Sequence, residues 1–455
     1  MNKGSISLAL GAGGLAAVLT TLFPLGIFGF AALCLLAGFV FTHIRLAVLL
    51  FIVTSAWTAA LSPLFTYRFA AFHFSHLITI LLSLIFLWGV RENPKGKFIQ
   101  THLDYPLSLF FLAALLSVLN SYVFWDFTVP LTHRHLIVQF TGLVLILFSI
   151  FTFLVVSRYM DSERWINRAY FSLIGTACFL AFFSLPNRFL HLKLVPTPLA
   201  QIDFGIVYTL GLALAFSSLL YASKLIHKLG WFAACGVITF AVWSFFMSGS
   251  RTYLAVAASV LFITFMRSRK LFIGLLIALI VLAIVYPSPF QNLLDLKSSS
   301  WHYRLILWKD TFQVLDRHWS FWLWGVGPGN YYAYSLVYTF NAAGAGTWGL
   351  TTPHNQYLVI LGEVGLVGFS LFFWVVINIL KTGFSLVRSA RSPVSKSFSV
   401  GALGGFVGIL VISIFADSLL PSISNLGFNT ICTSLYSWIL LGLLYAQVRK
   451  KEDRP

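Results

Sequence analysis

The sequence predicts an all-α fold, a polytopic integral membrane bundle of 12–14 transmembrane helices with one long external loop that contains an amphipathic helix. Three observations predict it. The chain is 59% hydrophobic and only 9% charged, with a mean hydropathy of +0.88, a balance outside the range of soluble globular domains. Its apolar residues are gathered into runs of about 15 to 25, the length an α-helix needs to cross a bilayer. The third is the single long polar interruption at residues 287–355, since a connection of that length inside a compact membrane protein needs a reason.

The runs are 5–22, 24–42, 46–65, 73–90, 105–124, 137–157, 169–185, 203–222, 230–247, 252–266, 271–286, 356–380, 399–420 and 427–446. Several are short, which leaves the number of spans between 12 and 14. Three regions follow: N-terminal membrane helices over 1–286, the loop over 287–355, and C-terminal membrane helices with a tail over 356–455. The first run passes directly into a second with no convincing small-residue cleavage site, so the N-terminal run is expected to stay in the protein.

Lys and Arg near helix ends accumulate on the cytoplasmic side. With the N-terminus inside, 21 of the 30 basic residues fall in cytoplasmic segments, both termini are cytoplasmic, and the long loop is external. The nine outside are Arg68, Arg134, Arg188, Lys193, Arg251, Lys297, Arg304, Lys309 and Arg317. The net charge of +17 is the ordinary result of orienting helices against an anionic leaflet, so membrane lipids and not nucleic acid are the expected partners. Cys34, Cys178, Cys235 and Cys432 all lie within apolar runs without metal-ligand spacing and read as packing residues. No repeat is evident, which disfavours an inverted-repeat transporter.

Ionisable groups at membrane depth are costly unless paired, hydrated or useful. Arg251, in Ser248-Gly249-Ser250-Arg251 between two runs, sits at an external turn, where it is either a snorkelling anchor or an anion clamp, because guanidinium grips phosphate oxygens in a planar fork. In the loop, Trp301, Leu305, Trp308, Phe312, Leu315 and Trp319 recur at helical spacing as one apolar stripe, with Asp310, Gln313 and Arg317 opposite. Arg304 lies at the edge of that stripe, within reach of a phosphate at headgroup level. Gly325-Val326-Gly327-Pro328-Gly329-Asn330-Tyr331 must turn, and it is not a P-loop because no Gly-Lys-Ser/Thr follows. His354 stands at the junction between the loop and run 356–380, where an imidazole titrating near neutrality can accept a hydroxyl proton. Glu363 lies roughly 13 Å further along a helix rising 1.5 Å per residue and should face a polar cavity or a cation. Glu363, Asp417 and Asp203 are each candidates to hold an arginine in place, and the sequence does not choose among them.

Taken in order, Ser-Gly-Ser-Arg251-Thr-Tyr, Tyr303-Arg304-Leu-Ile-Leu-Trp308, Trp324-Gly-Val-Gly-Pro-Gly-Asn330, His354-Asn355-Gln-Tyr and Gly365-Leu-Val-Gly368 resemble the O-antigen ligase and polymerase superfamily. The motifs span roughly 240–380. The resemblance implies an all-helical glycosyltransferase of the bacterial inner membrane with a periplasmic active site. It also implies transfer of a finished glycan from an undecaprenyl diphosphate donor to a lipid A-core acceptor. On the residues, His354 is the expected base and Arg251 and Arg304 the expected diphosphate ligands, with Asn355, Glu363, Asp417 and Arg188 as possible supports. The loop's acids are Asp295, Asp310 and Asp316, too few and too scattered for a divalent ion, so neither a metal nor another cofactor is expected. A polymerase using the same donor and a transporter or flippase are the competing readings. The polymerase differs in its acceptor, and the transporter would need charges along a path through the bilayer.

Overall fold

The computed structural model describes residues 38, 40, 42–61, 101–129, 135–189, 205–221, 252–285, 299–335, 337, 352–421 and 429–452. Among these residues the regular structure is helical throughout, an all-α membrane helix bundle. Its helices are α1 (Ile44–Leu61), α2 (Asp104–Val123), α3 (His135–Tyr159), α4 (Glu163–Phe189), α5 (Gly205–Tyr221), α6 (Thr252–Arg267), α7 (Arg269–Val285), α8 (Ser299–Leu315), α9 (Trp319–Trp324), α10 (Gln356–Ser389), α11 (Pro393–Ile412) and α12 (Asn429–Glu452). The spans Asp104–Val123, Leu136–Tyr159, Gln356–Ser389 and Pro393–Ile412 are long and apolar enough to cross a membrane, and shorter apolar helices accompany them. The runs at 5–22, 73–90 and 230–247 lie outside the described residues.

Two departures from the apolar runs affect the site. Helix α10 continues nine residues past the end of its run, to Ser389. Run 399–420 does not stay helical: α11 stops at Ile412, where the Ser413 N–H bonds back to Ile409 O, and 413–421 turns across the bundle end. Asp417 therefore sits in a turn, where the backbone can bring it over the start of α10.

Helices α5, α6 and α11 pack most closely because α11 presents small residues to both partners, the usual means of bringing helix backbones together without water to drive association. A side chain at Gly401 would meet Ser217 and Leu214, and one at Gly405 would meet Leu210. Gly404 lies against Ile263, and Gly408 lies against Ser259 and Ala255. Residue numbers climb on α11 as they fall on α5 and α6, so α11 runs antiparallel to both. Helices α2 and α10 are likewise antiparallel, with Phe110 against Phe372 and Tyr105 against Trp374. The C-terminal ends of α2 and α11 thus meet the N-terminal end of α10 and its His354.

Candidate functional site

The site is built where α10 begins. Asn355 is its N-cap, and the Asn355 Oδ1 accepts the N–H groups of Tyr357 at 3.0 Å and Leu358 at 3.2 Å, two donors that have no partner inside the helix. Gln356 ties this start to the 413–421 turn: its N–H donates to Ser413 O at 2.8 Å, and its Oε1 accepts from Leu419 N and Leu420 N at 3.2 and 3.0 Å. The Asn-Gln pair of the His354-Asn355-Gln356-Tyr357 motif is thus spent on placing a helix terminus.

His354 has φ +46°, in the left-handed region, a conformation costing about 1–3 kcal/mol unless its surroundings hold it. Three contacts do so. The His354 N–H donates to Thr352 Oγ1 at 3.0 Å, and the Thr352 hydroxyl donates to Asp417 Oδ2 at 2.9 Å. Arg304 Nη1 donates to His354 O at 3.4 Å and, more closely, to Phe415 O. Trp308, one turn further along α8, donates through Nε1 to Pro353 O at 2.8 Å. Arg304 and His354, 50 positions apart in sequence, therefore share one corner of the bundle end. Asp417 reaches this corner through Thr352.

Glu363 sits two turns into α10. Its Oε1 accepts the Gly329 N–H at 2.9 Å, and its backbone carbonyl accepts Gly327 N–H at 2.9 Å and the Ser117 hydroxyl. The carboxylate lines a narrow cavity of about 30 Å³ together with Gln356, Pro328, Gly329, Phe110 and Leu420, room for a water or two. The glycine-rich turn anticipated at 325–331 is present, with positive φ at Gly325, Gly327 and Gly329. It leans on α10 where that helix is itself interrupted at Gly365, with φ 64° and ψ −172°.

Two residues of α2 that no motif singled out brace this contact between turn and helix. Ser117 Oγ accepts from Gly327 N at 2.9 Å, and Asn120 Nδ2 donates to Gly325 O at 2.9 Å. The available signal was that Ser117, Asn120 and Ser121 interrupt an apolar run, since a polar group at membrane depth needs a partner. Asn120→Ala should lower the apparent melting temperature of the detergent-purified protein, consistent with about 1–3 kcal/mol for stranding a buried carbonyl. Unchanged melting would show that water takes over the bond.

Helix α8 forms where the stripe places a helix, but the row it buries is only partly that stripe. The buried side chains are Leu307, Asp310, Thr311, Val314 and Leu315, while Leu305 and Phe312 are exposed and Trp319, 66% exposed, belongs to α9. Asp310, expected opposite the stripe, does lie across the helix from Leu305 and Phe312, and it is 2% exposed. The cause is that Leu307 and Val314 form an apolar row of their own, and this row faces the Tyr331 turn, where Thr311 Oγ1 lies 2.8 Å from the Tyr331 hydroxyl. Burial pushes the Tyr331 phenol well above its usual range, so it serves as a neutral hydrogen-bonding group.

Arg251, Asp203, Arg68, Arg134 and Lys193 lie outside the described residues, as does the side chain of Arg188 on α4. Among the described residues no three His, Cys, Asp or Glu side chains converge as a metal site.

Residues 236–373 match the family model described as O-antigen ligase. The match supports the O-antigen ligase superfamily for this chain, and with it an enzyme of the O-antigen ligase or polymerase type in a multi-pass bacterial membrane protein. The matched segment holds Arg304, the glycine turn, His354, Glu363 and Gly365, while Asp417 comes to it from beyond those residues. No curated protein matches the chain.

Proposed function

We propose that the chain is a metal-independent glycosyltransferase of the O-antigen ligase kind, moving a finished glycan en bloc from undecaprenyl diphosphate to lipid A-core at the periplasmic face, with both termini cytoplasmic. The observation that carries the proposal is the corner shared by Arg304 and His354 at the start of a membrane helix, where a lipid-held donor and an aqueous acceptor meet.

In the proposed reaction the acceptor hydroxyl attacks the anomeric carbon of the donor sugar, the bond from that carbon to the diphosphate oxygen breaks, and the electron pair leaves with the diphosphate. Arg304 and Arg251 hold that departing charge, which supplies electrostatic stabilisation where it develops. The imidazole of His354 takes the acceptor proton. Arg304 also fixes the backbone of His354 through its carbonyl, which makes one residue answerable for both groups' positions. Asn355 caps the helix, Asp417 holds Thr352 beneath His354, and Glu363 fixes the glycine turn. Arg188 is a further possible support for the donor.

Deleting the locus tests the reading. Surface polysaccharide should be lost from lipid A-core while long undecaprenyl diphosphate-linked glycan accumulates. Accumulation of single repeat units would instead indicate a polymerase, and glycan retained on the cytoplasmic face would indicate a flippase. Transfer by the purified protein should survive a chelator, and strict dependence on added Mg²⁺ would contradict the metal-independent route.

A further inference from the structure

At the bundle end away from His354, three helix ends bring two cations to one aromatic ring. Tyr221 closes α5, Arg267 closes α6, and Lys396 stands in the first turn of α11. The Arg267 guanidinium lies 5.2 Å and the Lys396 ammonium 5.7 Å from the centroid of the Tyr221 ring. Both cations are exposed, and the ring, like Phe216, Leu220, Phe262, Met266 and Phe384, packs against the Ile263, Val387 and Leu403 cluster. Position is therefore set by the most closely packed helices of the bundle.

Two like charges held at one ring repel each other, and the quadrupole of a phenol offsets that only in part. No carboxylate stands within ion-pair distance of either cation among the described residues. An ion pair that is present, Arg45 with Asp161 at 2.7 Å, belongs to α1 and the α3–α4 link. The backbone N–H groups at the α11 N-terminus add to the positive field. A phosphodiester between Arg267 and Lys396 would relieve the repulsion with charge-assisted hydrogen bonds from both sides. At a membrane-helix end the phosphodiester at hand is a phospholipid headgroup, whose acyl chains can lie along the apolar surface of α6 and α7, where Phe265, Leu271 and Phe272 flank the turn.

We propose that Arg267, Lys396 and Tyr221 form a binding site for the headgroup of an anionic phospholipid in the leaflet opposite the proposed active site. The site takes no part in glycosyl transfer, and its failure would leave the functional reading untouched.

Native mass spectrometry of the full-length protein in neutral detergent, titrated with phosphatidylglycerol or with phosphatidylcholine of matched chains, tests it. Phosphatidylglycerol should be retained preferentially. Arg267→Ala with Lys396→Ala should weaken retention roughly tenfold, the order expected for losing two charge-assisted contacts, and Tyr221→Leu should weaken it as well. Arg158→Ala with Arg164→Ala, which removes two cations at the same end, should leave retention near wild type. The proposal is overturned by unchanged retention in the Arg267/Lys396 variant, by equal loss in the Arg158/Arg164 variant, or by displacement with equimolar inorganic phosphate, which would mark a free-anion site. If the double Ala variant does not fold, Arg267→Gln with Lys396→Gln keeps the side-chain stems packed and must show the same loss.

Discussion

Replacing His354 with Asn is expected to reduce transfer about 10²–10⁴-fold, the usual contribution of a general base, while binding of the undecaprenyl diphosphate donor is retained. Asn is the informative substitution because position 354 has φ +46°. Asn tolerates the left-handed region, whereas Ala adds backbone strain to the loss of the imidazole. Arg304→Ala should behave differently. It removes a proposed diphosphate ligand and also the donor to His354 O and Phe415 O, so binding and transfer should fall together. Arg304→Lys should be only a partial rescue, since a single ammonium cannot present the planar fork of a guanidinium. Donor binding by each variant, measured with labelled lipid-linked glycan beside single-turnover transfer, separates the two. Full transfer in His354→Asn would remove the base assignment. Parallel loss of binding in that variant would make the histidine a phosphate ligand or a structural residue.

Much of the architecture was legible because apolar run length reports helices directly. Run 137–157 is α3, run 252–266 is α6, and α10 begins at Gln356, where its run begins. The chain turns at the glycine-rich segment because Gly325, Gly327 and Gly329 adopt the positive φ that glycine allows. Which face of α8 is covered was not legible. In a membrane protein both sides of such a helix carry apolar residues, and periodicity cannot say which row meets protein, so Leu307 and Val314 are buried while Leu305 and Phe312 face outward. The end of α11 at Ile412 was hidden for a related reason, since residues 413–420 are apolar enough to extend a run yet fold into the turn that Gln356 holds. Partner choice was equally hidden. Asp417 was one of three carboxylates offered to an arginine, and its contact with Thr352 depends on a chain crossing 65 residues long.

The largest effect on stability is expected at Gly325 and Gly365, which face each other across the junction of turn and membrane helix. Gly325 has φ 75° and ψ −173°, and Gly365 has φ 64° and ψ −172°, a region of backbone space that essentially only glycine enters. The space is closed as well. A Cβ at Gly325 would stand 2.3 Å from Glu363 O, and one at Gly365 would stand 2.3 Å from Leu323 O. Strain of about 1–3 kcal/mol and overpacking of about 1–3 kcal/mol should act together in either Ala variant, and both overlaps are with backbone, which cannot swing aside. Apparent melting of the detergent-purified protein should drop well below that of Gly175→Ala, a helical glycine with nothing within 4 Å of its added methyl, where Ala should be neutral or slightly stabilising. Because each glycine abuts the backbone beside the other, the double variant should cost less than the two single variants combined, once the first substitution has parted the surfaces. Wild-type melting in Gly365→Ala would mean that the turn does not bear on α10. Strict additivity would mean that the two glycines act at separate contacts.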